Sequence, residues 1–465
     1  MLDQSTICAI TTGTANGAVA MIRVAGENAI AITDQIFKSP KSGKKLVDQK
    51  ANTLHFGRII NGDEILDEVV VSLFKAPHSY TGEDVVEISC HGSAYIQQEL
   101  LQLLISNGAR LAKPGEFTQR AFLNGKMDLS QAEAVADVIA SGSKAAHKVA
   151  ISQLRGGFSN ELSQLREQLL HFTAMVELEL DFAEEDVEFA DRTELKKLLN
   201  QIDVVISRLV NSFQLGNAIK NGIPVTIAGE TNVGKSTLLN ALLNEERAIV
   251  SDIEGTTRDV IEDTLNIDGI TFRFIDTAGI RTTEDQIENL GIERTFQKID
   301  QAQIVLLLLD LTKKLDKNIE RLEEIRERID DQQLIIVGNK ADESGSPAIR
   351  QLMAKVSLDD HENMAFISAK KGENIDYLKE LLIETVNLSQ LDNDEVIVTN
   401  ARHFEALSKA NEALQRVVNG IDMQISGDFL AQDIRECLHF LGEITGDIST
   451  DEVLGHIFKN FCIGK

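Results

Sequence analysis

The segment GETNVGKS (229–236) limits what this chain can fold into more than any other short stretch. It fits the pattern G-x-x-x-x-G-K-S, follows the apolar run IPVTIA and precedes the helix-forming run TLLNALL. In loops of this kind the backbone N–H groups surround phosphates, Lys235 reaches the β and γ oxygens, and Ser236 places its hydroxyl on Mg²⁺. The segment therefore predicts a strand, a phosphate-binding loop and a helix in succession.

Three further motifs follow in the order that is typical of guanine-nucleotide domains: DTAG (276–279), NKAD (339–342) and SAK (368–370). Asp276 is expected to hold the water shell of the metal, and Asp342 can accept both the ring N–H and the exocyclic amine of guanine. Each motif ends an apolar run that alternates with helical segments, so we predict GTP binding on a doubly wound, mainly parallel sheet. The predicted GTP-binding residues are Asn232, Val233, Gly234, Lys235, Ser236, Thr237, Ser251, Asp252, Ile253, Glu254, Gly255, Thr256, Thr257, Asp276, Thr277, Ala278, Gly279, Asn339, Lys340, Asp342, Ser368, Ala369 and Lys370.

The residue after DTAG is Ile280, where signalling GTPases commonly place a glutamine that orients the attacking water. A hydrophobic side chain cannot do this, so another catalytic device is expected. Asn232, inside the phosphate loop, can ligate a monovalent cation whose charge replaces that of an arginine finger. Glu288 can hold the water, although the spacing of EDQIENLGIER alone favours a solvated helix residue. Thr257, in IVSDIEGTTRD, is the expected Mg²⁺ ligand from a segment that closes on the γ-phosphate.

The length and charge of the chain limit the remaining possibilities. A chain of 465 residues is too long for one core and suggests about three domains. The formal charge of −27 argues against a nucleic-acid binder that acts alone, because phosphate binding needs clustered lysines and arginines. The run 177–191 contains eight carboxylates and no base, which favours a solvated helix face over a docking patch. Short apolar runs, an N-terminus without a secretory pattern and four widely spaced cysteines together predict the reducing cytoplasm.

The pattern of the sequence changes three times along the chain. Residues 1–125 mix short apolar runs with glycine-rich turns, which is typical of an α+β domain. Residues 126–218 and 389–465 carry Ala and Leu at helical spacing, whereas 219–388 alternates strands with helices. We therefore predict a multidomain α/β protein in which a P-loop domain, 219–388, is inserted into one all-α domain formed by the two helical segments.

Several segments together resemble the MnmE family (also called TrmE), the potassium-dependent tRNA modification GTPases of bacteria and organelles. They are KPGEFTQRAFLNGKMDLSQAEAVADVI, DFAEEDVEF, GETNVGKSTLLNALL, IEGTTRDV, DTAGIR, LGIERT and the terminal FCIGK. The nucleotide motifs are shared by many GTPases, but the first block and the ending are far more specific. The resemblance runs from near residue 5 to Lys465 and covers essentially the whole chain.

The resemblance implies a homodimer joined through N-terminal folate-binding domains, with inserted Ras-like G domains that approach each other in the presence of K⁺. It also implies a heterotetramer with the flavoprotein MnmG. Together such proteins add an aminomethyl or carboxymethylaminomethyl group to carbon five of the wobble uridine in certain tRNAs. The one-carbon unit would come from 5,10-methylenetetrahydrofolate, of which 5-formyl-tetrahydrofolate is an analogue, and the nitrogen from ammonium or glycine.

The family's functional residues fall on matching positions of this sequence. Its water-positioning acid falls on Glu288, against the interpretation from spacing alone. The potassium ligands fall on Asn232, Ser251, Ile253 (by its carbonyl) and Thr256, the magnesium ligands on Ser236 and Thr257, and the folate contacts on Arg23, Glu87, Lys126 and Lys465. From the residues alone, Arg23 and Lys126 would be isolated, solvated surface charges.

The ending NFCIGK leaves the role of Cys462 open. A free cysteine between Phe461 and Ile463 is by default a small buried hydrophobe. The resemblance instead brings Cys462 toward the folate site, where the thiol would either attack carbon six of uridine or serve in a less direct role. No base for that thiol is obvious; His456 is a candidate, although the pattern favours a surface or core histidine there. Two other functions are considered: a ribosome-assembly or checkpoint GTPase, which usually carries a basic RNA-binding module, and a folate-binding scaffold, which would tolerate the loss of Cys462.

Overall fold

The computed structural model describes residues 5–13, 17–41, 43–181, 192–244, 263–275, 298–330, 332–359, 361–386, 396–423, 425–459, 461 and 464. The chain divides into two compact units. The first consists of Met1–Ile139, Ile151–Asp203 and Lys409–Lys465, and the second of Ala140–Ala150 and Val204–Ser408. Each unit therefore combines segments that are far apart in sequence. The bounds of the four predicted segments, 1–125, 126–218, 219–388 and 389–465, stay predictions.

The described residues form thirteen strands and fifteen helices. The strands are β1 (Ile7–Ile10), β2 (Val19–Ala25), β3 (Phe37–Lys38), β4 (Thr53–Asn61), β5 (Glu64–Phe74), β6 (Val85–His91), β7 (Arg110–Leu111), β8 (Ile223–Gly229), β9 (Asp263–Ile267), β10 (Ile270–Phe274), β11 (Ile304–Asp310), β12 (Gln333–Asn339) and β13 (Glu362–Phe366). The helices are α1 (Ala29–Ile36), α2 (Ala94–Ser106), α3 (Glu116–Leu123), α4 (Leu129–Ala140), α5 (Lys144–Leu154), α6 (Gly157–Asp181), α7 (Arg192–Asn211), α8 (Phe213–Asn221), α9 (Lys235–Asn244), α10 (Leu315–Arg326), α11 (Ala341–Lys355), α12 (Ile375–Thr385), α13 (Ala401–Asp422), α14 (Gly427–Thr445) and α15 (Asp451–Lys459).

A seven-stranded sheet forms the N-terminal part of the first unit. Its order is β3-β4-β5-β6-β2-β1-β7, and neighbouring strands are antiparallel except for β1 and β7. Helices α1 and α2 contact this sheet, and α3 follows its last strand. A sheet with a few helices is the α+β architecture that the sequence predicts for this region.

The two faces of this sheet differ in what covers them. On one face Val71 of β5 is buried in a core that includes Leu104 of α2. On the other face Leu54 and Phe56 of β4 and Val70 of β5 are 71%, 55% and 38% exposed. Successive residues of a strand point to opposite faces, so these three side chains share the uncovered face. We call this set the apolar sheet face.

Helices complete the first unit. Leu162, Leu165 and Leu169 of α6 are buried at helical spacing, and α14 packs along the same helix. An ion pair between Arg166 and Asp447 joins α6 to the turn after α14. Within the described residues, no helix combines the length and the hydropathy that crossing a bilayer requires.

The C-terminal helix α15 packs on α3. Gly115, just before α3, has a φ of 66°, and a Cβ on it would lie 2.7 Å from the carbonyl oxygen of Phe458 and 3.0 Å from Cβ of Phe461. Further along, a Cβ on Gly464 would lie 2.5 Å from the carbonyl oxygen of Ile10 in β1. The end of the chain therefore returns to its first strand.

The second unit contains a six-stranded sheet with the order β13-β12-β11-β8-β10-β9. All neighbouring pairs are parallel except β9 with β10, which form an antiparallel edge. All seven residues of β11 are buried, because apolar side chains pack on both faces of the sheet. This is the doubly wound, mainly parallel sheet that the alternation of strands and helices predicts.

Candidate functional site

The phosphate loop joins β8 to α9. Because β8 ends at Gly229 and α9 begins at Lys235, the loop leads into a helix N-terminus, whose N–H groups suit anions. Gly234 has a φ of 104°, and a Cβ on it would lie 2.4 Å from Nδ2 of Asn339. Only glycine permits this close approach, which holds the loop against the end of β12.

Lys235 is held inside the loop by main-chain oxygens. Its Nζ donates to the carbonyl oxygen of Gly229 at 2.7 Å and to that of Glu230 at 2.9 Å. Burial lowers the pKa of Lys235, and the positive charges of Arg321 and Lys298 lower it further. The negative charge of Glu230 offsets part of this effect, so Lys235 lies in a partly buried setting with nearby positive charge, which suits a polyphosphate.

Asn339 links the phosphate loop to the motifs that are predicted to read the base. Its Nδ2 donates to the carbonyl oxygen of Val233 at 2.8 Å, and its Oδ1 accepts the N–H of Ala369 at 3.0 Å. The residue is only 3% exposed. One buried amide therefore joins three of the predicted motifs, because β12 and β13 are parallel neighbours and end at the same edge of the sheet.

Asp342 lies in the first turn of α11, and its side chain is 7% exposed. A hydrogen bond from the buried Ser368 lowers the pKa of Asp342, and Lys371, with Nζ 3.3 Å from Oδ2, adds to this effect. The carboxyl group is therefore ionised at neutral pH, as a double acceptor for guanine must be.

The other predicted nucleotide and cation residues divide into two sets. Asn232, at a φ of 64°, is exposed in the phosphate loop, Ser236 and Thr237 lie in the first turn of α9, and Lys340 and Lys370 follow β12 and β13. Outside the described residues lie Ser251, Asp252, Ile253, Glu254, Gly255, Thr256, Thr257, Asp276, Thr277, Ala278, Gly279 and Glu288.

Arg23 and Glu87 form a second polar site, in the first unit. They face each other across β2 and β6, with Nε and Nη2 of Arg23 2.9 Å and 2.8 Å from Oε1 of Glu87. The guanidinium carbon also lies 5.2 Å from the ring centre of Tyr80 and 5.6 Å from that of Phe117. With its side chain 15% exposed, Arg23 is not the isolated surface charge that the residues alone indicated. An acid and two aromatic rings hold it instead.

Helix α3 and the turn after it hold the loop 77–83 beside this ion pair. The contacts are Tyr80 hydroxyl to Thr118 hydroxyl at 2.8 Å, Glu83 to Arg120 at 3.1 Å, the Thr81 carbonyl to Asn124 at 2.7 Å and the Pro77 carbonyl to Lys126 Nζ at 2.9 Å. The exposed Lys126 therefore bonds the same loop that carries Tyr80. The predicted folate residues Arg23, Glu87 and Lys126 are thus connected through one loop.

Glu116, the first residue of α3, fixes the start of this helix through buried ion pairs. It is 2% exposed and lies between Arg110 at 2.6 Å and Arg120 at 3.1 Å, while the N–H of Lys113 donates to it at 2.9 Å. Sequence reasoning did not single out Tyr80, Thr118 or Arg120. The only sign of these contacts in the sequence was the density of polar residues in HSYTGED and KPGEFTQR. The sequence did not show how they pair, because Tyr80 and Thr118 are separated by 38 positions and Glu83 and Arg120 by 37.

The described cysteines differ in setting from what a reactive thiol needs. Cys8, Cys90 and Cys437 are buried, and burial raises their pKa to about 11, about 11 and about 12. Such thiols remain protonated and inert at neutral pH. His456 is exposed on α15. Cys462, Lys465 and residues 182–191 of the acidic run lie outside the described residues.

Two family models match the chain. One, described as "GTP-binding protein TrmE N-terminus", matches residues 6–126, and the other, described as "MnmE helical domain", matches residues 129–462. The second match includes the segment that folds as the parallel sheet.

Full-length relatives agree with these matches. A tRNA modification GTPase MnmE from Bacteroides thetaiotaomicron is 60% identical and one from Flavobacterium johnsoniae is 54% identical, each over 100% of both chains. Among solved structures, Aquifex aeolicus Era bound to GDP and AlF4⁻ is 28% identical, with 41% of this chain and 66% of that chain covered and a TM-score of 0.26.

Proposed function

The chain belongs to the MnmE family of tRNA modification GTPases, and we propose that it acts at carbon five of the wobble uridine of certain tRNAs. The observation that carries the GTPase part of this proposal is the buried Asn339, which joins the phosphate loop to the SAK motif beside the ionised Asp342. This arrangement suits the phosphates and the guanine of one GTP molecule. The family membership supports coupling of its hydrolysis to tRNA modification.

We assign the parts of GTP hydrolysis to individual residues. Lys235 exchanges its bonds to main-chain oxygens for the β and γ oxygens of GTP, and Asp342 accepts the two N–H donors of guanine. Glu288 orients the attacking water, since Ile280 cannot do so. Ser236 and Thr257 would hold Mg²⁺, which neutralises charge on the transferred phosphoryl group.

We also propose a potassium ion beside the phosphates, held by Asn232, Ser251, Thr256 and the carbonyl of Ile253. Its charge replaces that of an arginine finger. The left-handed backbone at Asn232 supports this role, because φ is 64° and the side chain is exposed within the loop. Pairing of two G domains in the presence of K⁺ belongs to the same proposal.

The polar site of the first unit is the proposed folate site. Arg23 suits the carbonyl or carboxylate oxygens of a folate, Glu87 suits its N–H groups, and Lys126 and Lys465 supply further positive charge. The half-buried ion pair and the two aromatic rings support this assignment. A bound methylenetetrahydrofolate would supply the one-carbon unit.

The proposed assembly is a homodimer that works with a flavoprotein similar to MnmG in a heterotetramer. The apolar sheet face supports the homodimer, because three exposed apolar side chains on one sheet face favour burial against a partner. With a charge of −27, the chain needs the partner to provide much of the surface that binds tRNA. The cytoplasm stays the predicted compartment.

The test replaces Cys462 by Ser in a cell that lacks the native copy. Nucleoside mass spectrometry of tRNA and a GTPase assay are run on the same preparation. We expect modification to be lost while GTP hydrolysis continues, because the thiol and the G motifs serve different steps. Retention of both activities would support the scaffold alternative, with the base chemistry in the flavoprotein. Normal modification in cells that lack the protein altogether would contradict the tRNA proposal.

A further inference from the structure

The segment Asp310–Lys313, sequence DLTK, contacts both ends of the nucleotide site. It begins at the last residue of β11, which lies between the strand that leads to the phosphate loop and the strand that ends in the base motif. Asp310 reaches Lys340 of NKAD, and Lys313 reaches Glu230 of the phosphate loop. Neither Asp310 nor Lys313 belongs to any of the nucleotide-binding motifs. We call the segment the brace.

The contact to the base motif is buried. Asp310 has a side chain that is 5% exposed, and its Oδ2 lies 2.6 Å from Nζ of Lys340. Its Oδ1 accepts both the N–H of Thr312 at 3.0 Å and the hydroxyl of Thr312 at 2.6 Å. Burial alone would raise the pKa of Asp310, but the bonds from Lys340 and Thr312 outweigh it and lower the pKa. The carboxylate is therefore charged, fully bonded and fixed in place.

The ion pair with Asp310 helps to hold Lys340 in an unfavourable backbone conformation. Its backbone has a φ of 64°, a conformation that a residue with a Cβ adopts at a cost. It directly follows Asn339 and stands two residues before Asp342, the carboxylate that reads guanine. Fixing Lys340 therefore fixes the direction in which α11 begins and with it the position of Asp342.

The contact to the phosphate loop is different in kind. Nζ of Lys313 lies 2.5 Å from Oε2 of Glu230, but the two side chains are 40% and 44% exposed. Water and salt screen an exposed pair, and two long side chains lose conformational freedom when they form it. The two contacts of the brace thus offer a matched comparison between a buried and an exposed ion pair in one segment.

We propose that Asp310 is a positioning residue for guanine recognition. It acts through Lys340, holding the NKAD turn so that both carboxylate oxygens of Asp342 meet the ring N–H and the exocyclic amine together. The inference concerns the base half of the nucleotide and needs neither potassium nor folate.

The test measures the dissociation constants of GDP and IDP for the full-length chain by fluorescence competition. IDP lacks the exocyclic amine, so the ratio of the two constants reports how well Asp342 is aligned. We expect Asp310→Asn to weaken GDP binding about tenfold and to reduce the IDP/GDP ratio. Lys313→Met, which breaks the exposed pair, should change GDP binding less than about threefold.

Two controls separate positioning from general loss of structure. Glu362→Gln breaks a comparable ion pair of the same unit, in which Glu362 is 7% exposed and bonds Arg326 at 2.5 Å and 2.7 Å. It should lower the unfolding midpoint but leave the IDP/GDP ratio unchanged. If Asp310→Asn does not fold, Lys340→Gln breaks the same pair from its more exposed side and should lower the ratio as well.

A double-mutant cycle decides the mechanism. In a Lys340→Ala background, Asp310→Asn should have no further effect on GDP or IDP binding, because its action passes through Lys340. An effect of the same size in both backgrounds would overturn the proposal. So would an unchanged IDP/GDP ratio in the folded Asp310→Asn protein.

Discussion

Glu116 illustrates how a single charged residue can be stable inside the first unit. Burial alone would raise its pKa, but hydrogen bonds from Arg110, the N–H of Lys113 and Arg120 outweigh that effect and lower the pKa below its usual value of 4.5. The charge is therefore kept by its partners. Arg110 and Arg120 share this carboxylate, and Arg120 also pairs with Glu83, so removal of Glu116 takes one of two acids from a buried guanidinium.

We predict that Glu116→Gln destabilises the first unit by about 3 kcal/mol, the usual effect of breaking a buried ion pair. Because the folded pKa is depressed, the contribution is fully present above about pH 4.5 and is lost as the pH falls through the folded value. Urea-dependent hydrogen exchange of the α3 peptide measures the effect. The control is Glu68→Gln, whose pair with Arg58 is about half exposed and should contribute below about 1 kcal/mol. Equal effects of the two substitutions would contradict the argument.

Asn232 allows a test of the potassium proposal at a single side chain. Asn232→Gly removes the amide and keeps a backbone that tolerates a φ of 64°, whereas Asn232→Ala adds strain of about 1 kcal/mol. We expect GTP hydrolysis by the parent protein to be fast in K⁺ and slow in Na⁺, and Asn232→Gly to lose at least about tenfold of the K⁺ stimulation. Initial rates in matched chloride salts measure this. Stimulation of the Gly variant at the parent level would exclude Asn232 as a ligand.

Helix α3 connects two parts of the first unit. One side holds the loop 77–83 beside the Arg23–Glu87 pair, and the residue before its first turn, Gly115, touches the end of α15. The segment PGEFTQRAFLNGK is therefore constrained at several positions, since four of its polar residues bond the loop and Gly115 admits the C-terminal helix. This explains in physical terms why the block is more specific than the nucleotide motifs.

Gly115 and Gly125 form a matched pair for testing that contact. Their φ angles are 66° and 65°, but a Cβ on Gly115 meets Phe458 and Phe461, whereas one on Gly125 has nothing within 4 Å. The positive φ destabilises both Ala variants by about 1 kcal/mol, and only in Gly115→Ala does the new Cβ also push α15 away. We expect faster hydrogen exchange in 451–459 and loss of tRNA modification for Gly115→Ala alone, with GTP hydrolysis unchanged in both. Similar behaviour of the two variants would show that the close approach has no consequence.

The elements of the second unit could be predicted from the sequence because each motif marks a strand end. Asn339 is the last residue of β12 and Lys235 the first of α9, as the local pattern indicates. The links between motifs could not be predicted in the same way. Asn339 meets Val233 across 106 positions, and Arg23 meets Glu87 across 64, so only the folded sheet brings them together. The resemblance named Arg23 and Glu87 as site residues, but it gave no sign of the rings that hold Arg23.

At the scale of the whole molecule, the apolar sheet face is the feature that calls for a partner. A stable interface buries about 800 Å² on each side and needs an apolar centre, which Leu54, Phe56 and Val70 can provide. The opposite face of the same sheet is already covered by α1 and α2. A second copy of the chain is therefore expected to pack on the uncovered face.

Phe56→Asp should break that association. A carboxylate buried without a partner costs several kcal/mol, so the dissociation constant of the dimer is expected to rise at least about 100-fold. Light scattering over a range of concentrations measures the change. Tyr95→Asp is the control, because Tyr95 is 67% exposed on α2, and it should leave the dimer intact. Equal dissociation of both variants, or of neither, would contradict a dimer through the sheet.

The contact between the C-terminal residues and the first strand affects the order in which the two units can fold during synthesis. Gly464 closes against Ile10, and the first unit needs segments on both sides of the second. At a typical rate of 5–20 residues per second, the ribosome takes roughly 15 to 50 s to pass from residue 139 to residue 409. The last residue of the second unit, Ser408, is added at the end of that interval, whereas α3 gains its contact with α15 only after residues 451–459 have been synthesised. A nascent chain can therefore begin to fold its second unit while its first unit still lacks α14 and α15.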